Sequence, residues 1–228
     1  MEDKTREEKA LYPSQRWALT LSELIYGQYT NFHNNALYHR SDENLEQGKK
    51  RLERFWRINS KETFFTRLKN LEAGNNYSND YMKNLRFFRR LNQKQRKRYL
   101  EGLKDNSQQR DHYKDMIFVK QAMYRFDPTG IMAYEYGCYV MLCRNGALFS
   151  YISDDEAWSL IMPIARKTQQ CFTDWHDYWL NYLAGRHARF EHMSADAVRS
   201  NVKDLIKFTG VENGPADLPW DTDLSQPY

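Results

Sequence analysis

The sequence predicts an all-α fold: a single globular multi-helix domain of about eight or nine helices. Three observations carry that expectation. Leucine occurs 21 times, against 13 for isoleucine and valine together, a balance that favours helix over sheet. Glycine and proline are sparse, at 10 and 6 in 228 residues. Apolar residues recur at three- and four-residue intervals along most of the chain, the period of a helix with one buried face.

The elements follow in order. Ser14 can cap a first helix whose stripe holds Trp17, Leu21, Leu24, Ile25 and Gln28. A second spans Asp42–Trp56, with Leu45, Leu52, Phe55 and Trp56. A third, over 61–73, carries Phe64, Phe65, Leu68 and Leu71 and stops at Gly74, in the turn signal Gly74-Asn75-Asn76. The segment Asn79–Leu103 reads as one amphipathic helix, with Tyr81, Leu85, Phe88, Tyr99 and Leu103 inward. A further helix covers Asp111–Arg125. Asp127-Pro128 reads as a cap and first-turn proline, opening a helix that Asn145-Gly146 closes. Ser153 and Glu156, three apart, form a capping box. The stripe Ala157, Leu160, Ile161, Ile164 and Thr168 follows, and Pro163 should kink that helix or confine its regular part. Thr173 can cap the next, with Trp175, Tyr178, Trp179, Tyr182 and Leu183 inward. Ser194 can cap a last helix through Val198, Val202, Leu205 and Ile206. Residues 1–12 read as a flexible charged N-terminus, 13–210 as the helical domain and 211–228 as an irregular acidic tail.

Composition narrows the function classes. Mean hydropathy is −0.88, and no apolar run approaches the roughly 18 residues of a membrane span. The charged start, Met1 to Glu8, lacks the apolar core of a secretory signal. Cys138, Cys143 and Cys171 are odd in number and have no CxxC spacing, which points to reduced thiols in the cytoplasm. P-loop, GxGxxG, HExxH, GxSxG and EF-hand signatures are absent. Among the histidines, His187 and His192 are five apart and His33 and His39 six, so neither pair suits a helical metal site. No metal and no cofactor is expected.

Two kinds of candidate residue remain. Glu135 lies inside the apolar segment 131–143, where burial would raise its pKa toward that of a general acid. The alternative for Glu135 is an ion pair with Arg144, Arg166 or Arg186. An enzymatic reading would gather Glu135, Asp174 and Arg186 with Tyr134 and Tyr182 in one pocket. Asp174, near a helix start, has the rival reading of a dipole partner. The other kind is charge. Residues 46–104 hold 17 Lys and Arg against 6 acids, and the last 18 residues hold four acids and no Lys or Arg. Lys83, Arg86, Arg90, Lys94 and Lys97 form a basic stripe with Phe87 beside it. That pattern fits a solvated face, a protein interface or, by phosphate contact and stacking, nucleic acid. Sixteen tyrosines and six tryptophans add contact area with a polar handle.

The blocks Tyr151-Ile152-Ser153-Asp154-Asp155-Glu156-Ala157-Trp158 and Tyr182-Leu183-Ala184-Gly185-Arg186 carry a resemblance. So do Ala133-Tyr134-Glu135-Tyr136-Gly137, Gln169–Trp175, Gln15–Leu19 and the segment 48–74. Together they resemble the domain-of-unknown-function family 1266, found mainly in bacteria. The resemblance implies no established activity. Where the family pattern has Asp and then Gly-Arg, this chain has Glu135 and Gly137-Cys138. The missing arginine favours a binding role over catalysis. The expected function is therefore a cytoplasmic, helical protein-binding module, most concretely an immunity-type inhibitor of a bacterial toxin. Its partner would be a protein, with Tyr134 and Tyr182 added to the basic stripe as binding residues. Rivals are an enzyme built on Glu135 and a nucleic-acid binder using 83–98.

Overall fold

The computed structural model describes residues 10–26, 36–38, 45–126, 129–189, 203 and 217–225. Among them are ten α-helices and no strand. The fold class is as expected, and the extra helices come from two predicted segments that break.

The first break separates α1 (Pro13–Thr20) from α2 (Glu23–Tyr26). Ser22 Oγ donates back to Leu19 O at 2.9 Å, and Leu21 O accepts from the Tyr178 hydroxyl at 2.8 Å. With that carbonyl diverted, the helical ladder is interrupted. Ser14 does not cap α1. It is buried in the first turn, and Gln15 Oε1 accepts from Tyr12 N–H at 3.0 Å instead.

Of the predicted helix 42–56, residues 42–44 lie outside the described set. α3 (Leu45–Arg51) continues as a wide π-type turn over Leu52–Trp56. Arg57, at φ 58°, ends it in the left-handed region. α4 (Lys61–Glu72) starts at Ser60, whose Oγ accepts from Thr63 N–H at 3.2 Å.

The second break falls inside the basic segment. α5 (Ser78–Arg89) and α6 (Gln93–Lys104) are separate helices. Asn92 Oδ1 accepts from Gln95 N–H and Gln95 Oε1 from Asn92 N–H, both at 2.9 Å. This reciprocal cap starts α6 afresh. α7 (Arg110–Ala122) returns along both. Tyr81, Leu85 and Phe88 of α5, Leu100 and Leu103 of α6, and Met116 and Val119 of α7 form a small core of their own.

α8 (Met132–Leu148) is the spine of the larger core. Fourteen of its 17 residues are buried, as expected of a helix enclosed on all sides. It packs against α4, α9 (Asp154–Cys171) and α10 (Trp175–Arg189). The expected start at Asp127-Pro128 lies outside the described residues. The helix also does not close at Asn145-Gly146. Gly146 lies within the helix, and a Cβ there would sit 2.6 Å from the Phe64 ring, so it is a packing glycine and not a terminator. Gly185 has the same role against α8, its Cβ position lying 2.5 Å from Tyr134 Cβ.

The Ser153–Glu156 capping box is present, with Glu156 N–H to Ser153 Oγ at 3.1 Å and Ser153 N–H to Glu156 Oε2 at 2.8 Å. α9 then runs through Pro163 without interruption. The predicted helix from Ser194 lies outside the described residues.

Residues 217–225 are irregular, as expected, but they are docked. Trp220 Nε1 donates to Phe172 O at 3.1 Å, and Trp175 Nε1 donates to Leu218 O at 2.7 Å. The Trp220 ring lies 4.9 Å from Trp175 and 5.0 Å from Trp17. This strap joins α1, α9 and α10, away from the basic helices.

Candidate functional site

The small core presents its outer face as a groove of about 800 Å³ between α6 and α7. Its construction starts with α5. Tyr81 OH donates to Ala122 O at 3.2 Å, tying α5 to the end of α7. Arg89 donates to Met123 O. Arg96 donates from Nε to Phe88 O at 3.0 Å and lies over the Phe88 ring at 5.4 Å, so its guanidinium closes the end of α5. On the far side of α6, Phe87 packs edge-on to Tyr99 at 5.0 Å, and the Tyr99 hydroxyl meets His112 Nε2 at 2.8 Å.

The groove floor is Phe88, Leu100 and Met123, all buried. Lys94, Lys97 and Lys104 stand along the α6 wall, and Tyr113, Ile117, Lys120 and Tyr124 along the α7 wall. Glu101 is the one acid in the lining, held by Lys97 at 3.8 Å. Tyr124 is 83% exposed.

Of the predicted binding residues, Lys94 and Lys97 line this groove. Lys83, Arg86, Phe87 and Arg90 are exposed on or just after α5, outside its lining. Tyr134 and Tyr182 are 5% and 1% exposed, with ring centroids 5.4 Å apart inside the large core. They serve packing and offer no contact surface. The α7 wall was not singled out from sequence. Its only signal there is an exposed-side tyrosine at each end of an otherwise ordinary amphipathic helix.

The predicted catalytic residues Glu135 and Asp174 are each engaged at a helix start. Glu135 is fully buried. Its Oε1 accepts from the backbone N–H of Tyr77 at 3.1 Å and of Ser78 at 2.8 Å, at the start of α5. Its Oε2 has no hydrogen-bond partner. In exchange, Ser78 Oγ accepts from Ile131 N–H at 3.2 Å, just before α8. Each helix thus satisfies orphan donors of the other, and this clasp joins the two cores. Asn181 completes it, accepting from Ala133 N–H at 3.0 Å and donating to Gly130 O at 2.7 Å. Burial raises the Glu135 pKa and outweighs the backbone donors that lower it.

The expected ion pair of Glu135 is not formed with Arg144 or Arg166. Arg144 is buried against Glu23 at 2.9 Å and also donates to Ser22 Oγ and Leu37 O. Arg166 donates to Leu224 O at 3.1 Å. Arg186 is half-buried and makes no hydrogen bond or ion pair with a described residue. Asp174, and not Thr173, caps α10. Its Oδ1 accepts from Asp177 N–H at 2.7 Å, and Asp177 Oδ2 accepts from Thr173 N–H at 3.1 Å. It lies eight residues before Tyr182 on the same helix, about 12 Å along the axis.

Cys138 and Cys143 are buried, and burial pushes the Cys143 and Cys171 thiols up. Among the described residues no three His, Cys, Asp or Glu side chains are placed to hold a metal ion. His33, His39 and His192 lie outside that set. No helix among the described residues is long and apolar enough to cross a membrane.

No curated protein and no solved structure is significantly similar to the chain. The family model described as "Protein of unknown function (DUF1266)" matches residues 51–220. That span takes in α4 to α10, both sides of the groove, the clasp and Trp220, and leaves α1 and α2 outside. Covering well over half of the sequence, the match places the chain in the DUF1266 family.

Proposed function

We propose that the chain is a protein-binding module and that the groove between α6 and α7 is its contact surface. One observation carries this reading: an exposed ring, Tyr124, a half-buried one, Tyr113, and an apolar floor sit within a rim of lysines. Aromatic anchors inside a charged border are the usual anatomy of a protein-recognition patch. The lysines steer an acidic partner, and the rings hold it. The most concrete version is a cytoplasmic immunity-type inhibitor that neutralises a bacterial toxin domain. Free cysteines fit a reducing compartment. The engagement of Glu135 by the Tyr77 and Ser78 amides, and of Asp174 by the start of α10, favours structural roles for both over the enzymatic alternative.

The test is co-purification of the tagged chain with its partner at low and high salt, beside Lys97→Glu/Lys104→Glu. We expect one stoichiometric protein, weakened by salt and lost in the variant. For the inhibitor version, that protein expressed alone is toxic. Co-expression of the wild-type chain rescues growth, and the variant does not. A nuclease-sensitive eluate would move the function to nucleic acid. A partner unaffected by the variant would remove the groove.

A further inference from the structure

The intervals on the two walls specify what the groove accepts. On α6, Gln93, Lys97, Leu100 and Lys104 recur at i, i+4, i+7 and i+11. On α7 and its final turn, Tyr113, Ile117, Lys120 and Tyr124 recur at the same intervals. Three- and four-residue alternation is the spacing of a seam between packed helices. Here two helices already touch, and their seam positions face outward together. A phosphate track would instead favour arginines free to fork onto oxygens. The one arginine in the lining, Arg96, is held on Phe88 O, and the strongest cationic run of α5 lies off the groove.

Resting on the protein-binding reading above, we infer that the groove binds an acidic amphipathic helix of the partner, which completes a three-helix bundle with α6 and α7. The walls are twelve residues long from Gln93 to Lys104 and from Tyr113 to Tyr124. They accommodate about three turns, roughly 16 Å. Apolar side chains of the docked helix, at i, i+3 or i+4, and i+7, rest on Ile117, Tyr113 and Tyr124. Its flanking carboxylates face Lys94, Lys97, Lys104 and Lys120. The described acidic residues of this chain's own C-terminal strap are not the occupant, because that segment is bound at Trp17, Phe172 and Trp175.

The experiment is selection from a display library of random 16-residue peptides against the full chain. Affinities of the selected peptides are then measured at two salt concentrations. We expect acidic sequences with apolar residues at helical spacing. Their Kd should rise at least tenfold on Tyr124→Ala and on Lys104→Glu/Lys120→Glu, and a central proline in the peptide should abolish binding. All three substituted side chains are exposed, so melting curves should match the parent. Peptides that need Tyr124 and the lysines but tolerate the proline and lack the period would overturn the helix while leaving the groove in place. If no selected peptide depends on these residues, both readings fall. Single-stranded RNA or duplex DNA bound through the same lysines would replace them.

Discussion

A buried carboxyl group held only by main-chain donors responds to its proton, and Glu135 is in that position. Its pKa in the fold is raised above the ordinary value near 4.5 because burial opposes the charge. The folded chain therefore keeps this proton to higher pH than the unfolded chain does. Stability falls as pH rises from about 4.5 toward the raised value. Glu135→Gln keeps an acceptor for Tyr77 and Ser78 and does not titrate, so denaturant unfolding across that window should lose this part of its pH slope. Glu135→Ala leaves those donors unsatisfied and should cost about 2–3 kcal/mol. An unchanged pH profile in the glutamine variant would contradict the assignment. The position of Glu135 in an apolar segment was legible in sequence. Its partners were not, because they are main-chain donors 57 and 58 residues earlier in the chain. Arg144 was illegible for the same reason, since Glu23 lies 121 residues away.

At the scale of elements, local chemistry explains which boundaries were readable. Ser153 with Glu156, and Gly74 after α4, are short-range signals, and both hold. The start of α6 was just as local, in Asn92 and Gln95, but the apolar period runs on past it. Asn92→Ala should destabilise by about 1 kcal/mol in equilibrium unfolding and raise amide exchange in the first turn of α6 selectively. A uniform change along α5 and α6 would mean that they behave as one helix. Half of the groove was legible too, as the basic stripe holding Lys94 and Lys97. The α7 half was not. Tyr113, Ile117, Lys120 and Tyr124 become a wall only when α6 lies beside them, and that is a tertiary fact.

At the scale of the molecule, two cores are held together by the clasp, and the larger is closed by the strap. Composition suggested the tail would be irregular, and so its described part is. Nothing local indicated that Trp220 would find Trp17, more than 200 residues away. Trp220→Ala removes a half-buried ring and its bond to Phe172 O. It should lower stability by roughly 2–3 kcal/mol in chemical denaturation, while peptide binding at the groove, on the other core, is retained. Loss of both together would show that the strap also shapes α6 and α7.

All six tryptophans stand on one side of this division. Trp17, Trp158, Trp175 and Trp179 are in the large core, Trp56 and Trp220 pack against it, and the small core contains none. Light absorbed at the red edge of the protein band therefore interrogates one half of the molecule alone. A tryptophan introduced at Phe118 would give the dark half its own emission, so that events at the two cores could be followed separately in one cuvette.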